Sequence, residues 1–230
     1  MQLFQSLPKE SFQQETLNYL HSVPIRKHIT AATTDDCIVV YQAYNAEIAQ
    51  HAVKHQTFEN CSKFSMKRMT WIKTNYLWMM YRSEYATSKN QERILALFID
   101  RDYFENSILG NGICSYFYHG LDKVYGSEEE WKKLMDEQKN AKTCVRVQWD
   151  PYHDPAGNKL GEVRAIQIGL KGDIVKEMLS QKKVKKIEDI TTYVREEHEH
   201  WKQTGDITIP VERLIEIENE EIKSKLAIMN

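Results

Sequence analysis

Four stretches of the chain carry hydrophobic patterns that are typical of β-strands. Residues 37–41 and 94–99 are continuous apolar runs rich in β-branched side chains, which indicates buried strands. Residues 145–150 and 163–168 instead alternate apolar and polar positions, and the turn-forming stretch 151–161 lies between them. These patterns predict two buried strands and one long hairpin.

Capping residues and helical spacing predict the helices. Asn45 precedes apolar residues at helical spacing, Ser127 begins a Ser-Glu-Glu-Glu capping box, and Asp173 is a candidate cap for the helix after it. Residues 76–81 form an apolar run that fits either a strand or a helix. The candidate cap Asn75 favours the helix.

The two ends of the chain predict helices and solvated loops. Ser11 is a candidate cap for a short helix over residues 12–20. The basic run 181–186 is expected to be a solvated face, and residues 187–201 are expected to be helical. Pro210 occupies the favoured first position of a predicted last helix.

Together these elements predict an α+β fold with a single domain. Its sheet is expected to be mixed or mainly antiparallel and flanked by helices, with a helical C-terminal tail. The expected division is an N-terminal segment at 1–34, a core domain at 35–195 and the helical tail at 196–230.

Composition favours an ordinary globular chain. Its 230 residues are 41% hydrophobic and 28% charged, and the net charge is −2, so attraction to nucleic acid requires a local basic patch. Four scattered cysteines without a C-x-x-C pair predict reduced thiols. No apolar run reaches bilayer length and the N-terminus has no signal-peptide pattern, so we expect a cytoplasmic or nuclear protein without membrane contact.

Residues 68–93 are the part of the chain richest in both aromatic and cationic side chains. Aromatic rings stack on bases and sugars, and guanidinium groups bind phosphates through paired hydrogen bonds. The stretch therefore predicts a site for a phosphate-bearing small molecule or a nucleic acid. The alternative is that these rings form only the core.

The alternation of residues 145–150 adds a polar face to this candidate site. It places Arg146, Gln148 and Asp150 on one side of the strand, where they either meet solvent or line a cleft. We expect Arg146 and Arg164 to converge with the arginines of residues 68–93. The predicted ligand-binding residues are Tyr41, Gln42, Tyr44, Arg68, Trp71, Tyr81, Arg82, Ser83, Arg93, Arg146, Asp150, Arg164 and Gln167.

Two residues are candidates for catalysis. Glu92, at the start of a predicted strand, is suited to orient a ribose hydroxyl or act as a general base, and otherwise forms an ion pair. Lys73 is suited to nucleophilic nucleotidyl transfer if burial lowers its pKa. The K-x-D-G pattern of covalent nucleotidyl ligases is absent, because Thr74, Asn75 and Tyr76 follow this lysine.

Several cofactor patterns are missing from the sequence. The histidines lack metal-ligand spacing and there is no H-E-x-x-H, so no metal is predicted. Neither G-x-x-x-x-G-K-[ST] nor G-x-G-x-x-G occurs, which argues against a P-loop and a Rossmann cofactor site. The sequence leaves the cofactor open, with NAD and a nucleoside triphosphate as the candidates.

Six strings resemble a family catalogued as domain of unknown function 4291. They are VYQAYN (40–45), RMTWIK (68–73), LWMMYRS (77–83), QERILA (91–96), VRVQWDP (145–151) and IQIGL (166–170). The resemblance covers residues 35–195. Thr74 stands where the family pattern has proline, and Glu84 and Tyr85 replace glycine and tryptophan. The resemblance implies no activity.

Two functional hypotheses follow from the candidate site. The first is a nucleotide-dependent transferase, one form of which is ADP-ribosyl-transferase-like, with Arg82 and Ser83 as the anchor, Tyr81 or Tyr44 as the stacking ring and Glu92 as the acid. The second is a nucleotide- or RNA-binding module without chemistry. A scaffold with only core aromatics is the third alternative.

Overall fold

The computed structural model describes residues 3–12 and 27–228. The fold is α+β, as predicted, with a seven-stranded mixed sheet between helices. The helices are α1 (Leu3–Ser6), α2 (Ala46–His55), α3 (Tyr76–Ser83), α4 (Asp122–Tyr125), α5 (Glu128–Asn140), α6 (Asp173–Ser180), α7 (Thr191–Thr204) and α8 (Glu220–Lys225), with a π-helical turn (Tyr103–Ile108) and a 3-10 turn (Leu109–Asn111). The strands are β1 (Lys9–Ser11), β2 (Thr30–Ala31), β3 (Cys37–Tyr44), β4 (Thr70–Lys73), β5 (Arg93–Asp100), β6 (Gly112–Cys114), β7 (Thr143–His153), β8 (Lys159–Gly172), β9 (Val184–Asp189), β10 (Thr208–Pro210) and β11 (Arg213–Leu214).

The large sheet has the order β6-β7-β8-β4-β3-β5-β9. Its neighbouring strands are antiparallel except for β6 and β7, which are parallel, so the expectation of a mixed, mainly antiparallel sheet is confirmed. The predicted hairpin is β7 and β8, and both strands extend into the stretch expected to be a turn, which spans only residues 154–158.

Both faces of the sheet centre are buried. On β5, Leu95 and Leu97 belong to one hydrophobic cluster, together with α2 and α6, whereas Ala96 and Phe98 belong to the other, together with α3 and α7. A strand covered on both faces has no polar positions to alternate with its apolar ones. This burial explains the continuous apolar runs of β3 and β5.

The predicted helices differ from the structure mainly near the chain ends. Ser11 is the last residue of β1, and the predicted helix at 12–20 lies almost wholly outside the described residues. The prediction of a helix beginning at Pro210 is wrong, because this residue ends β10, which pairs with β1. The only helix described after residue 205 within 27–228 is the short α8.

The basic run 181–186 was expected to be a solvated face, but residues from Val184 onward form β9 at the edge of the sheet. Its pairing with β5 overrides the charge pattern, because Val184 and Ile187, on either side of a register shift, both reach the core. The helix predicted from residue 187 therefore begins later, at Thr191. At α6, Gly172 occupies the cap position predicted for Asp173.

Helix α3 begins at a buried carboxylate. Glu212 accepts hydrogen bonds from the Tyr76 backbone N at 2.5 Å and from Asn75 Nδ2 at 3.0 Å. Asn75 precedes the helix, as predicted, but its side chain makes no cap bond and contacts Thr30 instead. The carboxylate compensates the unpaired backbone N–H groups of the first turn. It thereby fixes the helix that carries much of the candidate site.

Candidate functional site

A central cavity of about 720 Å³ opens where β3 and β4 separate. β4 pairs with β8 from Thr70 to Lys73, but its register with β3 is limited to Tyr41 opposite Lys73. Gln42 spans the gap, since its Nε2 donates to Thr70 Oγ1 at 2.8 Å and to the Trp71 carbonyl at 3.3 Å. The lining residues are Gln42, Ala43, Tyr44, Arg68, Met69, Thr70, Trp71, Lys73, Trp78, Met79, Tyr81, Arg82, Gln91, Asp150 and Gln167.

Lys73 lies at the inner wall of the central cavity and is only 7% exposed. Burial lowers the pKa of its ammonium to about 8, with Arg82 lowering it further and Asp150 opposing the shift. Within the described residues, its ammonium has neither a hydrogen bond nor an ion pair. Roughly a tenth of such an amine is neutral at pH 7, so Lys73 can act as a cation or as a nucleophile.

Asp150 is the carboxylate of the central cavity. Burial raises its pKa, whereas a hydrogen bond from Gln167 and the charges of Lys73, Arg82 and Arg164 lower it. Its Oδ2 is buried without a hydrogen-bond partner among the residues that the structure describes. A buried acceptor without a partner costs free energy, so this atom is suited to bind a ligand hydroxyl or amide.

Arg68 and Arg82 are exposed at the mouth of the central cavity. In the described part of the chain, neither guanidinium group forms a hydrogen bond or an ion pair. With Lys73 they give the cavity three cations against the single carboxylate of Asp150. The lining therefore carries an excess of positive charge, which favours an anionic ligand.

Stacked aromatic rings form one wall of the central cavity. The rings of Tyr81 and His153 lie 3.8 Å apart and Trp78 lies 5.4 Å from Tyr81, all nearly parallel. Tyr81 is 42% exposed, so it offers area to a ligand. On the sheet, a side chain at Gly169 would meet the Trp71 ring at 3.0 Å, so this glycine leaves space for that ring.

Tyr44 belongs to the opposite part of the lining. Its hydroxyl shares a 2.5 Å hydrogen bond with Thr70 Oγ1, and burial raises its pKa. Its ring packs against Phe58 and Phe64. Tyr44 therefore lines the cavity mainly with its edge and hydroxyl.

The expected convergence of arginines from distant strands is wrong. Arg146 lies at the far end of β7, where its Nη2 donates to the Met135 carbonyl at 2.6 Å. Arg164 of β8 is the register partner of Pro151, and the next residue, Ala165, is the partner of Asp150. Because side chains alternate along a strand, Arg164 lies on one face of the sheet and Asp150 on the other. Neither residue lines the central cavity.

Four other predicted residues also lie outside the cavity lining. Arg93 forms an ion pair with Asp189 at 3.4 Å, and Glu92 Oε1 accepts a hydrogen bond from the Asn90 backbone. Ser83 donates to the Met79 carbonyl within α3. Tyr41 is fully buried against Tyr76, with ring centroids 5.6 Å apart.

The remaining predicted residues do come together around one cavity. They are Lys73, Gln42, Tyr44, Arg68, Trp71, Tyr81, Arg82, Asp150 and Gln167. Sequence reasoning missed Thr70, Trp78 and Gln91, although all three belong to the aromatic and cationic stretch 68–93. Whether each of these side chains enters the cavity depends on the direction in which it points, and sequence spacing did not determine that direction.

The residues described support no metal site and no membrane span. Among positions 3–12 and 27–228, no group of three His, Cys, Asp or Glu side chains is placed to hold a metal ion. In the same ranges, every helix is too short or too polar to cross a membrane.

The fold and the cavity define an α+β domain with a polar, cation-lined pocket beside a seven-stranded sheet. A family model described as "Domain of unknown function (DUF4291)" matches residues 28–218. The chain therefore belongs to this family, as its six sequence strings predicted. A search of curated proteins finds no match to the chain.

Proposed function

We propose that the protein binds a nucleotide in the central cavity and acts on it as a transferase. The supporting observation is Lys73, a buried amine with a pKa near 8 and with no partner in the described chain. Because burial without a partner destabilises a charged group, such a residue is a candidate for function. It faces a cavity with Arg68 and Arg82 at its mouth.

The other lining residues suit the parts of a nucleotide. Arg68 and Arg82 would bind phosphate oxygens, because a guanidinium group matches their geometry. Tyr81 offers an exposed ring for stacking on a base. The free Oδ2 of Asp150 would accept a hydrogen bond from a ribose hydroxyl.

The ADP-ribosyl-transferase-like form needs a carboxylate beside the ribose. Asp150 lines the cavity and Glu92 does not, so we assign this role to Asp150. A carboxylate there would stabilise the positive charge that develops on the ribose ring as its bond to the base breaks. Glu92 retains the catalytic assignment only if its hydrogen bond to Asn90 is exchanged for a ligand contact.

Thermal-shift measurements with NAD, ATP, GTP and a short RNA test the proposal. A ligand that binds only the folded state raises the melting temperature by mass action. We expect a shift with NAD or a nucleoside triphosphate, lost in Arg82→Ala and Lys73→Met. Arg101→Ala is the control. This exposed arginine lies outside the central cavity and forms an ion pair with Glu105. No shift with any of the four compounds would contradict the proposal.

Turnover distinguishes the transferase from the alternative, a nucleic-acid-binding module. If the protein is an enzyme, Lys73→Arg should retain ligand binding, because the positive charge is kept. It should lose product formation, because a guanidinium group does not lose its proton to become a nucleophile. For the module, RNA affinity should fall steeply with salt and no nucleotide should be consumed. The cations of the central cavity that lack partners suit both a nucleotide and RNA, so they do not distinguish the two hypotheses.

A further inference from the structure

A second cavity of about 460 Å³ adjoins the central one. The two share Tyr81, Arg82 and Gln91, so Arg82 stands at their junction. The lining of the second cavity also includes Glu84, Tyr85, Asp154, Pro155, His198 and Trp201. The two cavities are therefore neighbours, and the cation of Arg82 lines both.

Parallel aromatic rings form a wall of the second cavity. Tyr85 and His198 stack with centroids 3.8 Å apart and an interplanar angle of 5°, and Trp201 lies 5.8 Å from His198 at 13°. Burial lowers the pKa of His198, so its ring is mostly neutral near pH 7. Such a wall can bind the face of another planar ring.

An unusual turn after α3 positions this wall. Glu84, Tyr85 and Ala86 have φ angles of 49°, 52° and 65°, a left-handed conformation that is disfavoured for residues with a side chain. The Tyr85 hydroxyl donates to the Pro155 carbonyl at 2.8 Å, which ties the turn to the tip of the β7–β8 hairpin. Strained backbone of this kind is often found at ligand sites.

The charges of the two cavities differ in sign. The central cavity combines Arg68, Lys73 and Arg82 with Asp150, whereas the second combines Arg82 with Glu84 and Asp154. Phosphates are therefore favoured in the central cavity and at Arg82. The second cavity instead favours a neutral or positively charged group.

We propose that the second cavity binds the cationic aromatic ring of a ligand whose phosphates lie at Arg82 and in the central cavity. The ligand is then a dinucleotide with two rings joined by phosphates, and not a nucleoside triphosphate. This inference rests on the proposed function, because the central cavity must hold the rest of the same molecule.

Calorimetric titration with NAD and with ADP-ribose tests the second cavity. The two probes differ by the cationic nicotinamide ring, so their affinity ratio reports the contribution of that ring. In the wild-type protein we expect NAD to bind roughly tenfold more tightly, the effect of one base stacked on aromatic side chains.

His198→Ala and Trp201→Ala are the test variants, and His200→Ala is the matched control. His200 lies on the same helix, two positions from His198, but is exposed and outside the cavity. Each test variant should weaken NAD binding to the level of ADP-ribose and leave ADP-ribose unchanged. The control should bind both probes as the wild type does.

The outcomes separate this inference from the proposed function. If both probes bind but His198→Ala and Trp201→Ala leave the affinity ratio unchanged, the second cavity does not hold the ring, and nucleotide binding stands. A variant that weakens both probes equally also overturns the inference, because the effect is then not specific to the ring. If neither probe nor ATP binds the wild type, the proposed function fails and this inference fails with it.

Discussion

Two carboxyl groups of this protein, the buried Glu212 and the half-buried Asp150, have very different surroundings. The pKa of each is raised by burial, to about 8 for Glu212. Glu212 accepts hydrogen bonds from Asn75, the Tyr76 backbone and Tyr152. Asp150 instead keeps one buried oxygen without a partner in the described part of the chain. Burial alone therefore does not indicate function; the pairing of the buried group separates a structural residue from a candidate site residue.

The largest effect that this comparison predicts is on stability. Glu212→Ala leaves the Tyr76 N–H and the Asn75 amide buried without their acceptor, so the free energy of unfolding should fall by roughly 2–4 kcal/mol. Urea denaturation measures this change. Glu212→Gln is the control, because an amide oxygen can still accept from the helix N-terminus. Equal losses in both variants would contradict the assignment of this stability to the hydrogen bonds that the carboxyl oxygens accept.

The same residue predicts a pH dependence of stability. The pKa of Glu212 is about 8 in the folded state and near 4.5 in the unfolded chain, so the folded state binds the extra proton between these values. The free energy of unfolding should therefore fall as pH rises from about 4.5 to 8, with a slope of up to about 1.4 kcal/mol per pH unit from this group.

Denaturation of the wild type and of Glu212→Gln across this pH range provides the measurement. The difference between the two curves isolates the contribution of this carboxyl group from that of other titrating groups. A constant difference would show that Glu212 has a similar pKa in the folded and unfolded states.

Lys73 extends the comparison to a cation without a partner. Replacing it with the apolar methionine removes a buried charge that has no hydrogen bond or ion pair in the described chain, so stability at pH 7 should rise by about 1 kcal/mol. Ligand binding should be lost in the same variant. Because the folded-state pKa is lowered, the stabilising effect should shrink as pH rises from 8 toward 10.5. A loss of stability in Lys73→Met would assign this residue to the structure.

Hydrophobic pattern, with a cap residue for α3, predicted most of the elements that build the site, but not β4. β3, β5, the β7–β8 hairpin and α3 all follow from apolar runs, alternation or a cap residue. The pattern failed at β9 and β10, where pairing with a distant strand decides the structure. In the sequence, a charged edge strand looks like a solvated loop, and a proline that ends a strand looks like one that begins a helix.

The candidate site was predictable only where its residues are close in the chain. Positions between Arg68 and Arg82 form a single strand and helix, so their side chains stay together. Arg146 shares the sheet face of Asp150, as alternation predicts, but four residues of strand separate them by about 13 Å. Periodicity therefore gives the face of a residue and not its distance from a site formed by other elements.

The smallest predicted effect concerns the electrostatic coupling of Lys73 to its two charged neighbours. Arg82 lowers the pKa of Lys73, and Asp150 raises it. Arg82→Ala should therefore raise this pKa and Asp150→Asn should lower it, each by a fraction of a unit, because burial remains the main cause of the shift. Reductive methylation with ¹³C-formaldehyde followed by NMR titration measures the value directly, with Lys73→Arg to assign the signal. Shifts of opposite sign in the two variants require both side chains to act on the same amine, and so to share the cavity with it. If neither variant changes the pKa of Lys73, the arginine and the carboxylate lie too far from the amine to act with it on one ligand.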